Sequence, residues 1–311
     1  MGWREAAVGV AAIVTACLLN GCSAVDILNA LTPHHSYQIT EGIAYGRDPR
    51  QRLDVYRPTP FAAGQPLVVF FYGGSWNRGS RKDYVFLGEA LASRGVITVV
   101  ADYRLYPQVR YPDFLTDSAA AVAWALRAAP DYGADSKRLY VMGHSAGAYN
   151  AAMIALDARW LAAEGLSAAS LAGWIGLAGP FDFLPIVNPE VRPVFNYPDS
   201  PPDSQPIAHV SAFAPRTFLG AASKDSLVDP QRNTQQMADK LRAAGVAVTL
   251  RFYPWASHIT LASAFARPLR GIASVLDDVD GFVHGGGAPF LRIKGTDYGN
   301  YKNEPDGHPG R

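Results

Sequence analysis

The chain has 311 residues, 49% of them apolar and 18% charged, and a net charge of +1. That composition describes a globular protein holding one domain of ordinary α/β size, with a core large enough to need no disulfide or metal. There is no Lys/Arg-rich block or stripe, which excludes nucleic acid as an expected partner. Both cysteines, Cys17 and Cys22, lie in the first 22 residues, which excludes a disulfide framework, a Cys-based metal site and a thiol nucleophile from the domain. No metal and no organic cofactor is expected.

In chain order, the first segment reads as an export signal. Arg4 gives a weakly basic start, Ala6 to Leu19 is an apolar run too short to span a membrane comfortably, and small residues follow. Leu19-Asn20-Gly21-Cys22 resembles the lipobox of bacterial lipoproteins, in which the cysteine is acylated and becomes the first residue after cleavage. Val14-Thr15-Ala16-Cys17 is a poorer match, lacking Leu three residues before the cysteine. The resemblance implies a signal peptide over 1–21, a lipid anchor on Cys22 and a place in the cell envelope. An ordinary secretory peptide (a periplasmic or secreted protein) and an uncleaved anchor are the alternatives. Ser23, where Asp would suggest inner-membrane retention, leans toward an outer membrane.

Residues 22–50 are polar and irregular and read as a tether. From about residue 51 short apolar runs alternate with longer amphipathic stretches. Leu67-Val68-Val69-Phe70-Phe71 and Val96-Ile97-Thr98-Val99-Val100 are continuous β-branched or aromatic runs, as strands buried on both faces require. Leu139 to Met142, Trp174 to Leu177 and Val246 to Phe252 continue the series. Helices are expected over Asp117 to Ala129, bounded by Pro130, and Pro230 to Ala244, ending on Gly245. Strands separated by helix-length crossovers predict an α/β fold with a mostly parallel sheet flanked by helices on both faces. Residues 181–215 hold eight of the 23 prolines and little periodicity, and read as a lid-like excursion over the sheet's edge. The domain is bounded at about residue 280, and 281–311, Gly-rich and polar, read as a disordered tail.

Two motifs carry chemistry. Gly143-His144-Ser145-Ala146-Gly147 follows a strand and opens a run of small residues suited to a helix, the strand–turn–helix setting of a nucleophile elbow. There the Ser adopts strained backbone angles, and the residues two before and two after it must be small. Phe71-Tyr72-Gly73-Gly74-Ser75-Trp76 follows an earlier strand, and its small residues let backbone N–H groups approach a developing oxyanion. The expected donors are Gly74, Ser75 and Ala146, with Tyr72, Trp76 and His144 as weaker candidates for substrate contact. His284-Gly285-Gly286-Gly287 matches a common form of this loop better, but no strand leads into it.

Leu53-Asp54-Val55-Tyr56, the Tyr72-to-Trp76 loop, Asp102-Tyr103-Arg104-Leu105, the Ser145 elbow and a late His recur in that order. Over roughly residues 40–265 the sequence resembles the α/β-hydrolases, specifically hormone-sensitive-lipase-like and bacterial feruloyl-esterase-like carboxylesterases. It departs from them at Tyr72, where those families carry a His that supports the loop; a Tyr hydroxyl can brace it instead. The resemblance implies the order nucleophile, acid, base. His258, just after the last strand, is the expected base, and His209, in the excursion, a satisfied surface residue; His144 sits beside the nucleophile and cannot face its Oγ. The acid is expected at Asp225, with Asp229 capping the following helix and Asp182 a distant third. Asp102 and Arg104 read as a structural pair bracing the strand end. The implied activity is hydrolysis of a small-molecule carboxylic ester through an acyl-enzyme, without cofactor. An amidase of arylformamidase type uses the same machinery, and a catalytically dead surface-displayed binding protein is the reading from another class. A prolyl-oligopeptidase-type peptidase is disfavoured, since Ala148 follows Gly147.

Overall fold

In the computed structural model, which describes residues 24–285, the apolar runs form the middle of one sheet. Its strands are β1 (Tyr37–Ala44), β2 (Arg52–Pro58), β3 (Gln65–Phe71), β4 (Ile97–Ala101), β5 (Ala134–His144), β6 (Gly173–Leu177), β7 (Thr217–Ala222) and β8 (Val248–Tyr253). Their order is β1-β2-β4-β3-β5-β6-β7-β8, with β2 antiparallel to both neighbours and every pair from β4 to β8 parallel. Every residue of β3, β4, β6 and β7 is buried, which is why these strands read as unbroken apolar runs rather than alternating ones.

The helices are α1 (Ala24–Ala30), α2 (Val85–Ala92), α3 (Asp113–Ala128), α4 (Ala146–Leu156), α5 (Ala158–Ala163), α6 (Gln236–Ala243), α7 (His258–Ser263) and α8 (Val275–Val283). Helix α2 packs with α8 over one face, while α3, α4 and α5 pack together over the other. Helix α4 is buried along its whole length; its alanines let it lie close to the sheet beneath α3. The connection from β3 through α2 runs to one side, to β4, and the next, through α3, returns across β3 to β5. Strands β3 and β5 therefore flank the switch point of the sheet, where a crevice opens beyond the strands' carboxyl ends.

The structure corrects four expectations. Residues 24–50 are no loose tether: they form α1, fastened where Asn29 donates to the Lys82 carbonyl at 2.8 Å, and β1, which pairs with β2 from Tyr37↔Pro58 to Ala44↔Arg52. The alternation of β1 is too weakly apolar to reveal it, since only Tyr37 is buried. The helix expected over Asp117–Ala129 begins earlier, at Asp113, because Phe114 and Leu115 already face the core. Proline 230 leads first into a π-turn, Gln231–Gln235, before α6. The domain reaches past residue 280, since α8 runs to Val283 and buries Phe282 and Val283. The segment expected to be a signal peptide, Cys22 and the residues beyond 285 lie outside the described residues, among which no helix is long and apolar enough to cross a membrane.

Candidate active site

Phe71 and Gly143 are register partners on β3 and β5, so the Tyr72–Trp76 loop and the Gly143–Gly147 turn leave the sheet side by side. The turn is tight. A Cβ on Gly143 would sit 2.0 Å from the Gly147 carbonyl oxygen, and one on Gly147 would sit 1.9 Å from that of Phe71. Between them Ser145 has φ 54° and ψ −122°, a conformation an L-residue holds only under constraint. Its N–H is tied to the Leu177 carbonyl on β6 at 2.9 Å, and α4 begins at the next residue. The strain lifts Oγ above the sheet.

His258 meets it there. Ser257 caps α7 by a reciprocal capping box with Thr260, which fixes His258 as the first residue of that helix. Its Nε2 lies 2.9 Å from Ser145 Oγ, and its Nδ1 lies 2.7 Å from Asp225 Oδ2. A carboxylate only accepts, so Nδ1–H donates to Asp225 and Nε2 is left to accept the Ser145 hydroxyl proton. Asp225 Oδ1 accepts from the amides of Leu227 (2.9 Å) and Val228 (3.0 Å). Burial pushes its carboxyl up, but the bond from His258 and these amides outweigh burial, and the net displacement is downward. Asp229 caps the π-turn through the amides of Gln231 and Arg232. Asp182 pairs with Arg232, and the His209 ring lies 2.6 Å from the Asp203 carbonyl.

The loop opposite Ser145 is held in a left-handed arc, with φ of 128° at Gly74, 52° at Ser75 and 56° at Trp76. No hydrogen bond among the described residues engages the amides of Gly74 or Ser75. Ala146 is the first residue of α4, where a helix amide has no intrahelical acceptor. All three residues line the cavities that Ser145 also lines.

Tyr72, a candidate for substrate contact, is wholly buried and turned away from that space. Its hydroxyl donates to Asp102 Oδ1 at 2.7 Å and accepts from Arg50 Nη2 at 2.8 Å. Burial drives its pKa well above the usual tyrosine range. Asp102 is bound in turn by Arg81 (Nη1 to Oδ2, 2.6 Å), which also reaches Asp54 at 2.7 Å. The expected Asp102–Arg104 pair does not form. The chain leaves β4 at Ala101, and Arg104 turns instead to Asp117 on α3, 2.7 Å away. Arg50, Arg81, Asp54 and Asp117 are thus loop-bracing residues that the sequence reading missed; only their long-range proximity reveals them.

His144 is likewise buried. Its Nε2–H donates to the His258 carbonyl at 2.8 Å, leaving Nδ1 a bare, unpartnered acceptor. Burial and, next, repulsion from His258 push its pKa down to about 3, so it stays neutral. Trp76 is buried against Phe195, 4.8 Å between ring centroids, and donates to Asn150 at 2.9 Å. One edge of it lines the site.

Two cavities meet at Ser145 and His258, one of about 480 Å³ and one of about 430 Å³. The larger is walled by Trp76, Phe183, Ile186 and Val191, the smaller by Gly74, Phe86, His144 and Ile259; Ser75, Arg78 and Leu227 border both. The proline-rich stretch is therefore a wall of the larger cavity. It does not lie over the sheet's edge, because β6 and β7, which it connects, are interior strands. Among the described residues no group of three or more His, Cys, Asp or Glu is placed to hold a metal.

The family model BD-FAE matches residues 53–241, which run from β2 through the elbow to α6. The chain belongs to the BD-FAE family. Within the BD-FAE match lie Ser145 and Asp225, while His258 falls just beyond its end. A probable isoprenylcysteine α-carbonyl methylesterase of Oryza sativa subsp. japonica is 30% identical over 76% of this chain and 60% of its own length. Esterase LipC of Mycobacterium tuberculosis is 31% identical over 68% and 57%. The chain thus spans about 60% of the length of these curated relatives. Among solved structures, a hyperthermophilic esterase from Pyrobaculum calidifontis superposes with a TM-score of 0.71 at 22% identity, over 85% of this chain and 90% of that one. A truncated carbohydrate esterase from gut microbiota gives 0.68 at 16%, over 82% and 98%. These likenesses show the α/β-hydrolase fold of the BD-FAE domain.

Proposed function

We propose that this protein is a serine hydrolase of carboxylic esters, working through Ser145, His258 and Asp225. The observation that carries the reading is the unbroken chain from Ser145 Oγ through His258 to Asp225, at 2.9 and 2.7 Å, facing the amides of Gly74, Ser75 and Ala146. His258 Nε2 takes the hydroxyl proton as Oγ attacks the ester carbonyl, and Asp225 holds the ring in the required tautomer and balances its charge. The three amides receive the negative oxygen. Collapse returns the proton to the departing alcohol, and the acyl group stays on Ser145. Water, deprotonated by the same His258, then attacks the acyl carbonyl and releases the acid. Esterase names among the relatives support this reaction class, and the largely apolar walls of both cavities suit an ester with apolar groups on both sides of its carbonyl.

The same reading places the protein in the cell envelope, anchored by acyl chains on Cys22, since the lipobox-like Leu19-Asn20-Gly21-Cys22 closes an apolar run. Several acyl chains on one residue make attachment effectively permanent, at about 0.8 kcal/mol per buried methylene. The test is labelling by a fluorophosphonate with p-nitrophenyl ester hydrolysis in parallel. Wild type should label and turn over, Ser145→Ala should do neither, and Asp225→Asn should lose about 10⁴-fold in kcat while Asp229→Asn stays within threefold. An unlabelled wild type overturns the hydrolase, and Cys22→Ala protein that stays with the membranes overturns the anchor.

A further inference from the structure

We propose that the mouth of the Ser145 site is turned toward a phospholipid bilayer, with Leu227, Ile259 and Val187 as its contact surface. The inference rests on the Cys22 anchor proposed above and adds an orientation to it. Its first support is where the described chain begins. Helix α1 starts at Ala24, and Val25, on its first turn, lines the smaller cavity together with Gly73, Gly74 and Ile259. The helix is fastened there by Asn29, which bonds the Lys82 carbonyl and, at 3.3 Å, the Phe86 amide. Cys22 is three residues before Val25, and a chain spans at most about 3.6 Å per residue, so their Cα atoms lie within about 11 Å. Acyl chains on Cys22 are thereby tethered within about that distance of the smaller cavity's wall.

The second support is a set of exposed apolar side chains around the site. Among the described residues the large apolar side chains left most open include Val187 (80%), Leu227 (68%) and Ile259 (67%). Val187 borders the larger cavity, Ile259 the smaller and Leu227 both. Trp255, 84% exposed, stands in the turn between β8 and α7, three residues before His258. Water-facing aliphatic side chains gathered around one opening mark a surface that is covered in use, and the anchor decides what covers it. Phe213, 89% exposed, lies ahead of the N-terminus of β7, at the opposite end of the parallel strands, and serves as the reference position. An ester dissolved in the bilayer then reaches Ser145 without crossing water.

The full-length lipidated protein offers a direct test, because its two native cysteines are both N-terminal, Cys17 ahead of the cleavage point and Cys22 occupied by lipid. Ile259→Cys and Phe213→Cys are each labelled with an NBD fluorophore and reconstituted into phosphatidylcholine vesicles carrying doxyl-labelled lipid. Quenching at position 259 should exceed that at 213 at least threefold. Equal quenching at both, or stronger quenching at 213, overturns the orientation while leaving the anchor and the hydrolase standing. Failure of the wild-type protein to remain with the vesicles overturns the anchor and this inference together. A far-ultraviolet circular dichroism spectrum and a thermal unfolding midpoint matching those of the wild type report that each labelled variant is folded.

Discussion

At the scale of single residues, the site depends on side chains that never touch a substrate. Tyr72 joins the loop of amides to Asp102 and Arg50 by two short hydrogen bonds inside the protein. Tyr72→Phe leaves Asp102 short of a donor and frees the loop, and buried groups so orphaned cost about 1–3 kcal/mol. Its kcat/KM for a p-nitrophenyl ester should fall about tenfold, equivalent to about 1.4 kcal/mol of transition-state stabilisation. Unchanged kinetics would show that the loop holds its shape without the hydroxyl. His144 makes a different demand. Its folded pKa of about 3 lies below the ordinary 6.5, so the unfolded chain takes up the proton first. The stability tied to its neutral form is complete above pH 6.5 and drains as pH falls toward 3, by up to about 1.4 kcal/mol per pH unit. His144→Gln keeps a donor for the His258 carbonyl and removes the titration. Urea unfolding between pH 7 and 4 should show a shallower acid-side decline in the variant; parallel slopes would refute this.

At the scale of elements, strand ends and helix starts create the site, and they were legible to different degrees. The buried strands announced themselves as apolar runs, and the Ser145 turn as small residues between a strand and a helix. Asp225 and His258 were expected from the order that the family resemblance implies together with their places after strands. Asp102 was legible as a brace but its partners were not, because Arg50, Arg81, Asp54 and Asp117 are far from one another in sequence and meet only when the sheet is assembled. Strand β1 and helix α1 were hidden for another reason: an edge strand and a short docked helix bury too little to impose a pattern. The elbow itself is a meeting of backbones. Gly147→Ala places a methyl group 1.9 Å from the Phe71 carbonyl oxygen, and neither the strand nor the helix can yield. Overpacking of this kind costs about 1–3 kcal/mol or more, and here it also displaces Ser145. The urea midpoint should drop and esterase activity vanish, whereas Gly271→Ala, with open space around the added methyl, should alter neither.

At the scale of the whole molecule, the sheet's switch point, the docked N-terminal helix and the apolar rim all face one way. One end of the protein carries the candidate site and the other carries the short connections between β2 and β3 and ahead of β7. The two cavities that meet at Ser145 add a kinetic consequence. In the proposed mechanism, departure of the first product would empty one chamber while the acyl group filled the other, and the empty chamber is lined largely by apolar side chains. Such a space favours an organic alcohol over water as the next occupant, and His258 can deprotonate either. The acyl-enzyme should therefore partition. With p-nitrophenyl butyrate and about 1 M butanol (a concentration at which a general base meets ample competing nucleophile), butyl butyrate should appear in the product mixture at the expense of free butyrate. Gas chromatography would register the ester directly, and its absence at undiminished p-nitrophenol release would mean that water holds the vacated chamber. The proposed hydrolase would then double as a transferase, its outcome set by whichever acceptor is at hand.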